Sequence, residues 1–151
     1  MAYKISFFTK WADFDANKHM RHTAYNDYAA ECRIRFFKDH GFPPQEFDKH
    51  NFGPILFKEE TTFLREIKLG DEISIELYLA GISTNGDRFK MLHKIFREDG
   101  VLAAEIKIYS AFIDLKTRKL TQPSPAIVKT FANLERTENF EEIQLKSKTV
   151  G

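Results

Sequence analysis

Thr23-Ala24-Tyr25-Asn26-Asp27-Tyr28-Ala29-Ala30-Glu31-Cys32-Arg33-Ile34-Arg35-Phe36 is the stretch that decides the fold. Tyr25, Tyr28, Ala29, Cys32 and Phe36 recur at spacings of three and four, which places them on one stripe of an amphipathic helix. Glu31, Arg35 and Lys38 fall off that stripe. Thr23 reads as the N-cap, and Gly41 followed by Pro43 and Pro44 ends the helix. Upstream, residues 3–9 read as a short strand, and residues 11–22, rich in Asp, Asn, His and Lys without a clean period, read as a loop.

Downstream the pattern changes to strands. Residues 41–54 carry Pro and Gly and form a connection, and residues 55–67 are β-rich. Over residues 72–80, Ile73, Ile75, Leu77 and Leu79 alternate with Ser74, Glu76 and Tyr78, the period of a half-buried strand. Asn85-Gly86 marks a turn into a strand at 88–97. Asp99-Gly100 suits a type I′ hairpin leading to a strand at 101–115. Ser124-Pro125 reads as an N-cap with proline at the first helical position, and Ile127, Val128, Phe131 and Leu134 give that short helix an apolar side. From about residue 136 the chain is polar and is expected to fray. The order predicts an α+β domain over residues 1–151: strand, loop, long helix, four strands in antiparallel hairpins, short helix. One helix covers one face of a curled sheet, and the open edge favours a homo-oligomer.

Composition narrows the function classes. Lys plus Arg number 23 and Asp plus Glu 22, a net charge of +1, which gives no electrostatic case for nucleic acid or a membrane surface. A single cysteine, Cys32, forbids an intrachain disulfide and fits a reducing compartment. No run is apolar and long enough for a signal peptide or a bilayer span, so a cytoplasmic protein is expected. No Cys/His cluster has metal-site spacing, no Gly-x-Ser-x-Gly elbow or Gly-rich phosphate loop occurs, and no cofactor or metal is expected. The 15 phenylalanines predict a Phe-rich core, with a share of the rings lining an apolar pocket.

The densest chemistry precedes the helix: Asp13-Phe14-Asp15-Ala16-Asn17-Lys18-His19-Met20-Arg21-His22. Asp15, Asn17 and His19 are spaced by two, so an extended loop would turn all three to one side. Next comes a helix N-terminus with unpaired N–H groups and the positive dipole end, which can hold the oxygen of a polarised carbonyl. A base beside an oxyanion site is what acyl transfer requires. Spacing alone equally fits ordinary turn-capping residues.

Residues 15–25, Asp-x-Asn-x-His-Met-x-x-x-x-Tyr, resemble the active-site signature of plant acyl-acyl-carrier-protein thioesterases. They are also similar to the 4-hydroxybenzoyl-CoA thioesterase group, in which an Asp-bearing loop leads into a long helix. Glu60 to Asp71 and the Ile113-Asp114-Leu115 ending with Arg118-Lys119 and Pro123 resemble the group's second and last strands. The resemblance spans roughly residues 3–130. It implies a hotdog fold, an antiparallel curled sheet wrapped around one long central helix, in dimers or tetramers with active sites at the dimer interface. It implies an acyl thioesterase acting on an acyl-CoA or acyl-carrier-protein thioester. By position, Asp15 matches the catalytic aspartate of both groups, and Asn17 and His19 match the plant enzymes' asparagine and histidine. The backbone N–H groups at His22 and Thr23 fall at the carbonyl-polarising helix start. Departures are Asn17-Lys18 where a glycine follows the aspartate in the aryl-CoA group, Ala24 in place of asparagine, and Thr62 at the plant site's second acid, with Glu60 on the same strand face. Tyr25, Glu60, Arg65, Arg88 and Lys90 are the candidate substrate-binding residues, the three cations because CoA and carrier-protein substrates bear phosphates. An enoyl-thioester hydratase or dehydratase and a non-catalytic acyl-thioester binder are the alternatives on the same fold.

Overall fold

A computed structural model describes residues 2–144. Strand β1 (Tyr3–Phe8) is followed by helix α1 (His22–Asp39), a one-and-a-half-turn α2 (Pro44–Lys49), and strands β2 (Phe52–Phe63), β3 (Glu72–Ser83), β4 (Arg88–Phe96) and β5 (Leu102–Asp114). Helix α3 (Pro125–Thr130) and strand β6 (Arg136–Ile143) complete it. The antiparallel sheet runs β1-β3-β4-β5-β2 and curls around α1, the hotdog arrangement.

The helix forms where the apolar stripe required it. Tyr25, Tyr28, Ala29, Cys32 and Phe36 are all buried, while Glu31, Arg35 and Lys38 face solvent, with Arg35 Nε donating to Glu31 Oε1 at 3.0 Å. Gly41, at φ +90°, stops it in the left-handed conformation that glycine reaches without a Cβ penalty. Against this stripe lie the inward residues of β3 (Ile73, Ile75, Leu77, Leu79) and β4 (Phe89, Met91, His93, Ile95), each alternating with half-buried outward residues. Phe36, Phe37, Phe42, Phe47, Phe52, Phe89, Phe112 and Phe131 form one connected aromatic cluster at the far end of the sheet from the Asp15 loop. Most of the phenylalanine content is thus core, and truncating such a ring costs about 3–5 kcal/mol.

Four sequence expectations change. Thr23 is the second residue of α1 rather than its N-cap; Arg21 holds that position, with extended backbone and no side-chain cap. Strand β2 makes no hairpin with β3: it crosses to the opposite edge and pairs along nearly the whole of β5, where its inward Glu59, Thr61 and Phe63 stand beside buried Ile108, Ile106 and Ala104. The Asp99-Gly100 turn is not type I′. Gly100 N–H donates to Arg97 O at 2.9 Å and only Gly100 has positive φ, so the loop is a turn followed by a glycine bulge. Residues 136–143 of the polar stretch do not fray: they form β6, paired parallel to the second half of β3 through Gly81 to Ser83, while residues 145–151 lie outside the described residues. Gly81 permits this, since a Cβ there would sit 3.0 Å from the Glu141 carbonyl oxygen. Ser124 caps α3 as expected, its hydroxyl accepting from Ala126 N–H at 3.3 Å.

Candidate active site

The Asp15 loop is a tight turn, not an extended segment. Lys18 N–H donates to Asp15 O at 2.9 Å, Asp15 N–H donates to His19 O at 3.0 Å, and Lys18 takes φ +63°. The Asp15 carboxylate closes the turn from within: Oδ1 accepts from Asn17 N–H at 2.9 Å and His19 N–H at 3.2 Å. This is the side-chain-to-backbone bonding that favours Asp at the head of a turn. Asn17 therefore sits at the exposed turn tip, and the every-second-residue alignment of Asp15, Asn17 and His19 does not form.

The turn is stitched to the rest of the fold on both sides. Met20 N–H donates to Ile67 O at 2.9 Å and Leu69 N–H to Lys18 O at 3.0 Å, tying it to the segment between β2 and β3. Arg21 N–H donates to Asp13 O at 2.8 Å. Asp13 Oδ2 accepts the Lys10 N–H at 3.1 Å and the Tyr28 hydroxyl, which holds the start of the loop against α1. Burial and the Asp13 carboxylate both raise the Tyr28 phenol above its ordinary range, so it stays a donor. Helix α1 begins two residues beyond the turn. Its first N–H groups, those of His22 and Thr23, have no intrahelical acceptor, and Arg21 supplies no side-chain cap.

A cleft of about 310 Å³ opens at this helix start, lined by His19, Met20, His22, Tyr25 and the Phe63–Glu66 segment. Asp15 borders it through its bonds to His19 rather than lining it. His19 Nε2 lies 3.1 Å from Glu66 Oε2. Tyr25 is buried and meets Phe63 edge to face at 5.0 Å, and desolvation raises its phenol above the ordinary value. Larger grooves of about 780 and 760 Å³ lie on the solvent side of α1 and one of about 410 Å³ on the outer face of the sheet, and none touches the turn or the helix start.

The remaining candidates are placed elsewhere. In the β2–β5 register Phe63, Thr61 and Glu59 stand opposite buried Ala104, Ile106 and Ile108 and so face α1; Thr62, Glu60 and Lys58 face away. Glu60 is 4.0 Å from Lys58 Nζ on that outer face. Arg88 donates to the Tyr109 hydroxyl at 3.3 Å, and Lys90 pairs with Glu141, both on the same outer face. The structure does not bring Glu60, Arg88 or Lys90 to the Asp15 turn. Arg65 is at the cleft rim, its Nη1 donating to Leu64 O at 2.7 Å. Phe63, Leu64 and Glu66 were not legible as site residues, because they reach the cleft only through contacts with residues far away in the chain. Among the described residues no three His, Cys, Asp or Glu side chains gather as a metal site, and no helix is long and apolar enough to cross a membrane.

Residues 9–131 match the family model of the thioesterase-like superfamily. The chain belongs to that superfamily. Solved structures agree with this thioesterase-like chain in fold. A hypothetical protein of Staphylococcus aureus in complex with CoA superposes with TM-score 0.82 at 22% identity, over 91% of this chain and 87% of that one. The DHNA-CoA thioesterase of Staphylococcus aureus gives TM-score 0.78 at 16% identity, over 86% and 88%. The 1,4-dihydroxy-2-naphthoyl-CoA thioesterase of Synechocystis gives TM-score 0.78 at 16% identity, over 89% and 98%. No curated protein matches the sequence.

Proposed function

We propose that this chain hydrolyses acyl-CoA thioesters at the junction of the Asp15 turn and the start of α1. The observation that carries the reading is an exposed carboxylate fixed by its own turn beside a helix N-terminus that lacks a side-chain cap. Asp15 uses Oδ1 to hold the turn, while Oδ2 accepts no hydrogen bond among the described residues. The acyl carbonyl oxygen accepts from the N–H groups of His22 and Thr23, whose dipole stabilises the developing oxyanion. Asp15 serves as general base for water or as nucleophile. Acting as base, it takes the proton as the water oxygen bonds to the acyl carbon; the C–S bond then breaks and the proton passes to the thiolate. A thiol pKa near ~8.5 makes that leaving group undemanding. His19, held by Glu66, orients water and the leaving sulfur.

The reading includes a second copy. The outer edge of strand β2 is unpaired among the described residues and carries exposed Leu56, Phe57 and Phe63, with Leu64 just beyond its end, the kind of apolar edge that a partner covers. Pairing along β2 closes the open side of the cleft, across which the CoA extends. Arg65 meets the phosphates from the near side.

A thiol-release assay over short, long and aromatic acyl-CoAs tests the reading. Turnover of at least one class supports it. Hydration of an enoyl-CoA without thiol release, or tight acyl-CoA binding without any turnover, contradicts it.

A further inference from the structure

The seam between α1 and β2 continues past the cleft, and two contacts close it in succession. The first is the Tyr25–Phe63 ring pair that ends the cleft. The second lies one residue past Tyr25 on the helix and two strand residues before Phe63, about 1.5 Å further along α1 and about 6–7 Å further along β2. There the Thr61 hydroxyl donates to Asn26 Oδ1 at 2.9 Å and joins helix to strand. Both residues face the seam: Thr61 stands opposite buried Ile106, and Asn26 follows His22 by four positions. Beyond this brace the helix presents half-buried Ala30 and then Arg33, whose Nη1 meets His93 Nε2 at 3.2 Å. Glu59 contributes its charge to Arg33 from the strand side.

We infer that the Asn26–Thr61 brace sets the length of acyl group that the site accepts, restricting it to short or aromatic acyl thioesters. This rests on the thioesterase reading above and adds the substrate class. The cleft's 310 Å³ holds about ten groups of the size of water, enough for an aromatic ring or a hexanoyl chain but not a hexadecanoyl one. A longer chain must displace the Tyr25–Phe63 ring pair and then part the brace, which strips the Asn26 carbonyl and the Thr61 hydroxyl of their partner in a half-buried place. With the brace removed, Ala30 and then Arg33 are the next side chains along the helix.

The test measures kcat/KM for acetyl-, hexanoyl-, dodecanoyl-, hexadecanoyl- and benzoyl-CoA with the full chain and with Thr61→Ala and Asn26→Ala. The wild type is expected to prefer hexanoyl- or benzoyl-CoA over dodecanoyl-CoA by about tenfold or more. Each variant, with unchanged thermal unfolding, is expected to raise dodecanoyl relative to hexanoyl turnover by about tenfold. A wild type that prefers hexadecanoyl-CoA, or folded variants with an unchanged chain-length profile, overturns the inference while leaving the thioesterase reading intact. Binding of the non-hydrolysable thioethers S-hexyl-CoA and S-dodecyl-CoA to the wild type makes the same comparison without turnover or variants. Equal or tighter binding of the dodecyl compound overturns the inference, and weaker binding supports it. Absence of both turnover and binding with every compound overturns the thioesterase reading itself.

Discussion

The Asp15 turn and the Gly100 turn share one backbone frame and differ in what they hold. In each, the first residue's N–H donates to the carbonyl four positions on, and the fourth residue's N–H donates back to the first carbonyl. In each, the fourth residue has positive φ: +63° at Lys18 and +83° at Gly100. The Gly100 turn joins β4 to β5 in solvent, and its carboxylate, Asp99, is neutralised by Arg97 at 2.5 Å. The Asp15 turn has no such cation on its carboxylate among the described residues, is sewn to residues 67–69, and runs into α1. It also spends a lysine where glycine would be relaxed, a left-handed conformation that costs about 1–2 kcal/mol for a residue with a Cβ. Identical turn geometry is therefore not the functional signal. The signal is an unneutralised carboxylate at a helix start, kept in place by a costlier turn.

Several substitutions break or sharpen that contrast. Apart from Asp15 itself, the largest effect is expected at the helix start. His22→Pro removes one N–H while suiting the first helical position, and Arg21 already has the extended backbone that precedes proline (φ −64°, ψ 140°). It should lower kcat by about 100- to 1,000-fold, whereas His22→Ala, which keeps the N–H, should lose far less. Equal kcat in the two variants removes the oxyanion role.

His93 is next, as the buried titratable group between α1 and the sheet. Nδ1 donates to Ile106 O at 2.9 Å, so Nε2 is the acceptor facing Arg33, and burial with that positive charge pushes the imidazole down to about 3. Between about 3 and the ordinary value of 6.5 only the unfolded chain takes the proton. Stability is then fully present above about pH 6.5 and falls as pH drops, by at most about 1.4 kcal/mol per pH unit. Denaturant titrations at several pH values should show this slope, and His93→Gln should lack it.

The smallest effects belong to the turns. Lys18→Gly should stabilise the chain by about 1 kcal/mol, and Gly100→Ala should destabilise it by about the same amount. Opposite signs in urea denaturation confirm that, of these two turns, the Asp15 turn is the one that carries strain.

Local pattern made much of this fold legible. The three-and-four stripe of Tyr25 to Phe36, the alternation of Ile73 to Leu79 and the Ser124-Pro125 cap each report a short-range preference, and each took its expected form. What failed was non-local. That β2 pairs with β5 depends on which inward faces meet across the sheet, and the strand character of residues 136–143 depends on a backbone approach that only Gly81 allows. The site divides the same way. Asp15 and the helix start were readable because they are adjacent in sequence. The cleft's far wall, Phe63 to Glu66, arrives through tertiary packing. The alignment of Asp15, Asn17 and His19 failed because the Asp15 carboxylate bonds to the backbone of both others and folds the segment into a turn.

Thiol release by Asp15→Asn on the best acyl-CoA substrate is the most direct measurement. Asparagine keeps an acceptor oxygen for the Asn17 and His19 N–H groups, so the turn persists and only the charge is lost. The account predicts a fall in kcat of at least ~100-fold, with an unfolding temperature close to that of the wild type. Wild-type turnover by a folded Asp15→Asn variant would contradict it.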